Sequence, residues 1–178
     1  MKKITYGKTV YDNKEIKAVL RTLKKSTQMG ESVNRFEKKI SSLFGKKYGL
    51  MVNSGSSALI LALNAMNFKS GSEIITPCLN FGTAVSSIML SNLKPILIDC
   101  EIDTLQVDVK QIEKKITKNT KAILVPNLIG GIPDWEKIRK IANKHNLMVI
   151  EDSADTLGST IKNKPTGLYS DISITSFY

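Results

Sequence analysis

The 178-residue sequence has two cysteines, one histidine and one tryptophan, and aromatic residues make up only 6% of it. Cys78 and Cys100 sit in different strand-end contexts, and neither belongs to a CxxC or metal-spaced set, so two reduced thiols are expected. The single histidine, His145, falls near a helix C-terminus, where positive charge is favourable, and is expected at the surface. No window is apolar for long enough to cross a membrane, and the basic start Met1-Lys2-Lys3 has no apolar run after it, so a cytoplasmic protein is expected. No basic run is interleaved with aromatics, so the formal net charge of +10, scattered over helix faces and loops, is not expected to serve nucleic acid. A dinucleotide-type GxGxxG is missing. Gly7-Lys8-Thr9 fails as the end of a phosphate loop, because Lys2 stands where the first glycine belongs and no strand precedes it. Repeats, low-complexity tracts and linkers are also missing.

What is there is a hydrophobic content of 42% and an alternation of short apolar runs with helical periods. Asp12 with Glu15 has the form of a capping box for a helix to Lys25, with Ile16, Val19, Leu20 and Leu23 on one face. A second helix runs from about Ser32 to Phe44 and stops at Gly45. Strands are expected at Tyr48–Val52, Glu73–Thr76, Pro95–Ile98, Ala122–Val125, Leu147–Ile150 and Ile172–Phe177, with helices at 57–66, 81–90, 109–116 and 134–145 between them. The helix at 57–66 is so apolar that burial on most of its faces is expected. Gly130-Gly131 reads as flexible, and Lys162 to Gly167 as a turn. Repeated strand–helix–strand units imply an α/β fold, a mostly parallel sheet with helices on both faces. The stop at Tyr178, where the last strand finishes, reads as the end of the N-terminal part of a larger fold.

Four strand ends carry polar residues that can do chemistry. Asn53-Ser54-Gly55-Ser56-Ser57 opens a helix, where free N–H groups, a glycine and hydroxyls suit a phosphate. A serine-rich turn can equally serve only as a cap. Phe81, after Thr76-Pro77, can stack on a flat ligand or belong to the core. Glu151-Asp152-Ser153-Ala154-Asp155 ends an apolar strand in carboxylates, which need a partner or a ligand there. Thr175-Ser176-Phe177-Tyr178 adds a further hydroxyl. Together they suit a flat, phosphorylated nitrogen heterocycle such as pyridoxal 5'-phosphate.

In their order, Asn53-Ser54-Gly55-Ser56-Ser57-Ala58-Leu59, Ile75-Thr76-Pro77, Glu151-Asp152-Ser153-Ala154 and Thr175-Ser176-Phe177 resemble the DegT/StrS-type family of pyridoxal-phosphate sugar enzymes, over nearly the whole chain from Tyr6 to Tyr178. The resemblance implies the fold type I aminotransferase architecture. It implies an N-terminal helical segment over 1–30, the first part of the large cofactor domain over 31–178, and a small C-terminal domain absent from this sequence. It places Ser56, Ser57 and Ser176 on the cofactor phosphate, Phe81 on the pyridine ring and Asp152 at the ring nitrogen. Asp155 falls near the phenolic oxygen, where aminotransferases of the family usually carry Gln or His. That departure, with Tyr48–Ser57 and Pro126-Asn127-Leu128-Ile129-Gly130, resembles the branch that removes the 3-hydroxyl of nucleotide-linked 4-keto-6-deoxy sugars. That branch is similar to GDP-4-keto-6-deoxy-mannose 3-dehydratases and uses pyridoxamine 5'-phosphate. The residue that separates the branches, a histidine base or a Schiff-base lysine, falls five residues after Ser176 and so beyond Tyr178. The resemblance further implies a homodimer, glutamate as amino donor or a reductase partner, and no turnover by these residues alone. A nucleotide-sugar aminotransferase and a non-catalytic truncated paralogue are the alternatives.

Overall fold

A computed structural model describes residues 9–177; Met1 to Lys8 and Tyr178, and with them the Gly7-Lys8 pair, the basic start and the last aromatic, lie outside the described residues. The chain divides into two compact units, one ending at Phe36 and the other beginning at Glu37.

In the first unit, α1 (Asn13–Lys25) has the expected capping box: Asp12 accepts from Lys14 N, and Glu15 reaches back to the Asp12 N–H at 2.7 Å. Its apolar residues Ile16, Val19, Leu20 and Leu23 are all exposed. Helix α2 (Glu31–Leu43) carries the unit boundary.

The second unit is a sheet with helices on both faces. In chain order it contains α3 (Gly55–Ala65), β1 (Glu73–Pro77), α4 (Gly82–Leu90), β2 (Lys94–Ile98), α5 (Val109–Lys115), β3 (Thr120–Pro126), α6 (Trp135–His145), β4 (Met148–Asp152), a hairpin of β5 (Thr160–Ile161) and β6 (Lys164–Pro165), and β7 (Ile172–Ile174). Five strands form one parallel sheet in the order β2-β1-β3-β4-β7. Because strand side chains alternate between faces, the sheet feeds two cores. Ile75, Ile123, Val125 and Val149 pack against Val109, Ile112, Trp135, Ile138 and Ala142, which come from α5 and α6. Ile74, Ala122, Leu124, Ile150 and Ile174 pack against Leu59, Leu63, Ala84 and Ile88, which come from α3 and α4. The helix after β1 thus covers one face and the helix after β3 the other. Their loops part at the carboxyl ends of these neighbouring strands, which opens a crevice where ligands of such sheets bind.

Three expectations change. Tyr48–Val52 forms no strand among the described residues. It has no backbone ladder beside it: the Met51 N–H goes to Glu37 Oε1 at 2.8 Å, and a Cβ on Gly49 would lie 2.7 Å from the Glu37 carbonyl oxygen. Tyr48 and Leu50 are exposed. Helix α3 is buried on one face only, through Leu59, Ala62 and Leu63, while Ile60, Leu61 and Asn64 line a hollow of about 400 Å³. Its uniform apolar composition hid this asymmetry. The last strand stops at Ile174 because its neighbour β4 stops at Asp152; there the Ser153 N–H donates to the Ile174 carbonyl (2.7 Å) and the Thr175 hydroxyl to the Ser153 carbonyl (3.1 Å).

Candidate active site

Asp152 is the last residue of β4 and only 6% exposed. Residues on β4 alternate, and Ile150 belongs to the α3–α4 core, so Asp152 is directed to that same side. One oxygen accepts from the Ala154 N–H at 3.1 Å; no described residue donates to the other. Burial pushes its pKa up, against the lowering effect of the Ala154 bond, and the charges of Asp155 and Glu151 push it further. A buried carboxylate with one free oxygen is a receptor for a proton-bearing group.

On the same rim stands the N-terminus of α3. The Ser54 side chain caps it by accepting from Ser57 N (3.1 Å), and the Ser54 hydroxyl donates to Ser57 Oγ at 3.0 Å. Ser57 is therefore drawn into the cap, and its residue lines the hollow with Val52 and Asn53. The Ser56 hydroxyl bonds to no described residue, and the first N–H groups of a helix have no intrahelical acceptor. Ser176 arrives from beyond β7: a Cβ on Gly55 would lie 3.3 Å from Ser176 Cβ and 3.6 Å from its Oγ. Glycine here lets strand end and helix start approach, leaving two hydroxyls and free N–H groups together. That donor set fits a phosphate.

Phe81 occupies the N-cap of α4 and is 69% exposed, so it is not core. Asn80 holds the turn, accepting from Phe81 N at 2.8 Å and donating to Thr76 Oγ1 at 3.2 Å. Asp155 is exposed, and its Oδ2 accepts from Ile129 N at 3.4 Å. Beside it the Thr156 hydroxyl accepts from Gly130 N (3.0 Å) and donates to the Asn127 carbonyl (2.8 Å). The Gly130-Gly131 turn, expected to be flexible, is thus clamped, with Gln106 bonding the Leu128 carbonyl from its far side. Ile129 is held there at φ 48°, a left-handed conformation that β-branched residues rarely adopt.

The surrounding polar residues were not legible from motifs. Glu151 is fully buried, and its carboxylate accepts from Asn127 Nδ2 and the hydroxyls of Ser153, Thr166, Ser170 and Ser173; among the described residues no cation bonds it directly, although its charge acts on the nearby Lys46. Asn127 also accepts from Trp135 Nε1 at 2.8 Å. Lys46, with its pKa lowered chiefly by burial, donates to the Gly167 and Ser170 carbonyls. The sequence signal was only the position of Glu151 at the end of an apolar strand. His145 lies on the surface side as expected, 2.9 Å from Glu113 Oε1. Its hydrogen bond, followed by the Lys144 contact, lowers the Glu113 pKa. Cys78 and Cys100 are both free, with the Cys78 Sγ 3.7 Å from Asp99 Oδ1.

The model of the DegT/DnrJ/EryC1/StrS aminotransferase family matches residues 9–178. The chain belongs to this family. A GDP-4-keto-6-deoxy-D-mannose 3-dehydratase of Escherichia coli O55:H7 is 33% identical over 178 residues, which cover 96% of this chain and 46% of the relative. A GDP-perosamine synthase of Escherichia coli O157:H7 is 39% identical, over 84% of this chain and 41% of its own. The solved E. coli GDP-4-keto-6-deoxy-D-mannose-3-dehydratase with bound hydrated PLP superposes with a TM-score of 0.83 at 33% identity, over 88% of this chain and 42% of that one. This DegT-family chain spans less than half the length of these relatives. Its parallel five-stranded sheet with flanking helices is the fold they share. Among the described residues, no helix is long and apolar enough to cross a membrane.

Proposed function

We propose that this chain forms the cofactor-binding part of a pyridoxal-phosphate-dependent enzyme acting on a nucleotide-linked keto sugar. The observation that carries the proposal is Asp152: buried, raised in pKa and short of a donor, on the rim where Gly55 and Ser176 meet. Asp152 accepts the N–H of the pyridine ring, and its raised pKa suits a proton shared between carboxylate and ring nitrogen. Ser56, Ser176 and the first N–H groups of α3 hold the phosphate; Ser57 supports them through the Ser54 cap. Phe81, exposed at the start of α4, covers the ring face. Bound there, the pyridoxamine form supplies an amine that condenses with a ketone and a ring that takes up electrons when a proton leaves.

Within this chemistry we favour removal of the 3-hydroxyl from a 4-keto-6-deoxy sugar over amino transfer. Asp155 and the turn Pro126–Gly130 support this, because they form one unit: Asp155 and Thr156 hold the turn's N–H groups. Asp155 thereby links the turn to the end of β4. In this proposal 31–178 is the first part of the large domain and 1–30 a helical lead-in. The catalytic base and the small domain belong to the rest of the protein, and the residues described here have no turnover alone. The working form is a cytoplasmic homodimer, with glutamate as the amino source.

Borohydride reduction of the full-length protein loaded with pyridoxal phosphate, followed by peptide mapping, tests the choice. Bound cofactor without a lysine–pyridoxyl adduct supports the dehydratase. An adduct at the lysine five residues after Ser176 gives the aminotransferase.

A further inference from the structure

Glu151 is a buried titratable group that the proposed chemistry does not use. Its surroundings come from four separate places in the chain: Asn127 after β3, Ser153 after β4, Thr166 and Ser170 in the turn that follows β6, and Ser173 within β7. A buried carboxylate with no ion pair in direct contact costs several kcal/mol unless its lone pairs are filled, by roughly two donors per oxygen. Here Oε1 takes Asn127, Ser153 and Thr166, and Oε2 takes Ser170 and Ser173, so the solvation shell is rebuilt from hydroxyls and an amide. Each hydroxyl can turn its proton to the anion, and the Lys46 ammonium, which donates to the Gly167 and Ser170 carbonyls, adds a longer-range attraction.

The position of this cage is informative. Ser173 lies in β7, three residues before Ser176, and Ile174 and Thr175 are bonded to Ser153. Glu151 immediately precedes Asp152, whose carbonyl accepts from Asn127 N at 2.8 Å. The cage therefore ties together the two strand ends that carry Asp152 and Ser176. Gly55 marks the far end of that span, against Ser176. Adjacent strands could slide or splay at their last residues, where the ladder has ended; one anion holding donors from both removes that freedom.

Resting on the cofactor site proposed above, we propose that Glu151 is a positioning residue. It sets the separation between the ring-nitrogen carboxylate at Asp152 and the phosphate cradle at Gly55–Ser176, and touches neither ligand end itself. A two-ended ligand feels an error in that separation; a ligand that uses one end does not. The substitution Glu151→Gln keeps the size but turns an amide N–H toward groups that are donors.

The test uses the full-length protein and three probes: pyridoxal phosphate, pyridoxal without phosphate, and inorganic phosphate, each titrated against wild type, Glu151→Gln and Ser173→Ala. For Glu151→Gln the dissociation constant of pyridoxal phosphate is expected to rise by about tenfold to a hundredfold, as for other losses behind a directly binding group. Pyridoxal and inorganic phosphate are expected to change less than about threefold. Ser173→Ala removes a single donor, keeps the protein folded if Glu151→Gln does not, and gives the same pattern at smaller size. Equal weakening of all three probes, or unchanged pyridoxal phosphate binding in both variants, overturns the positioning role. A wild-type protein that binds no pyridoxal phosphate overturns the cofactor site itself, a distinct outcome.

Discussion

Glu151 and Asp152 are consecutive carboxylates at the end of β4, directed to opposite faces of one sheet, and their surroundings differ in almost every respect. Toward α5 and α6, Glu151 is fully buried and accepts from five donors. Toward α3 and α4, Asp152 is nearly as buried and, among the described residues, accepts only the Ala154 N–H. Burial alone therefore does not single out a functional acid; burial with missing donors makes Asp152 the candidate. In the proposed reading the saturated face holds the strand in place and the bare face meets the cofactor. Polar groups left short of partners reduce stability, and folds keep them where binding supplies the partner.

The contrast can be broken at its bare end first. Breaking a buried ionic contact costs about 3–5 kcal/mol, so Asp152→Ala is expected to weaken pyridoxal phosphate binding roughly 100-fold or more in an absorbance titration of the full-length protein. At the saturated end, Glu151→Gln is expected to lower unfolding stability by about 2–3 kcal/mol in a denaturant melt, because donors lose a charged acceptor. A loss under about 0.5 kcal/mol, the usual surface value, would show that the cage does not hold the strand.

A third variant sharpens the comparison by reversing its sign. Asp152→Asn is expected to stabilise the cofactor-free protein by about 1 kcal/mol at neutral pH, since it removes a charge that burial disfavours. The Asp152 pKa is raised in the folded state. Its destabilising contribution is therefore full above that raised value, fades as pH falls, and is gone below the ordinary value of 3.8. The advantage of Asp152→Asn should shrink across that window in melts recorded at successive pH values. The smallest effect is expected at the cradle. Gly55→Ala places a Cβ 3.3 Å from Ser176 Cβ, a distance that a slight shift relieves. Weakening of cofactor binding by about 1 kcal/mol, roughly fivefold, is expected from a titration.

The strands and helices of the second unit were legible to within a few residues, because apolar runs and caps such as Asp134 and Ser54 are local signals. Tyr48–Val52 was misread because a strand needs a neighbour, which no local pattern supplies. Asp152, Phe81 and Ser176 stand out as candidates because each lies at or just beyond the end of a strand, and Ser56 because it opens a helix; their order resembles a family. The Glu151 cage does not. Its donors are serines, a threonine and an asparagine in loops and turns, and only the packed fold brings positions as far apart as 127 and 173 onto one carboxylate. The Asp155 bond to the Ile129 N–H is likewise not readable from the motif, because positions 129 and 155 meet only in the packed fold.

In the proposed site a pyridine nitrogen supplies the donor that no described residue gives Asp152. Nitrogen NMR of the full-length protein, loaded with cofactor labelled at the ring nitrogen, tests this most directly. A signal in the protonated range that moves to the unprotonated range in Asp152→Asn is the predicted result. An unprotonated ring nitrogen in wild type, or a protonated one indifferent to Asp152→Asn, would contradict it.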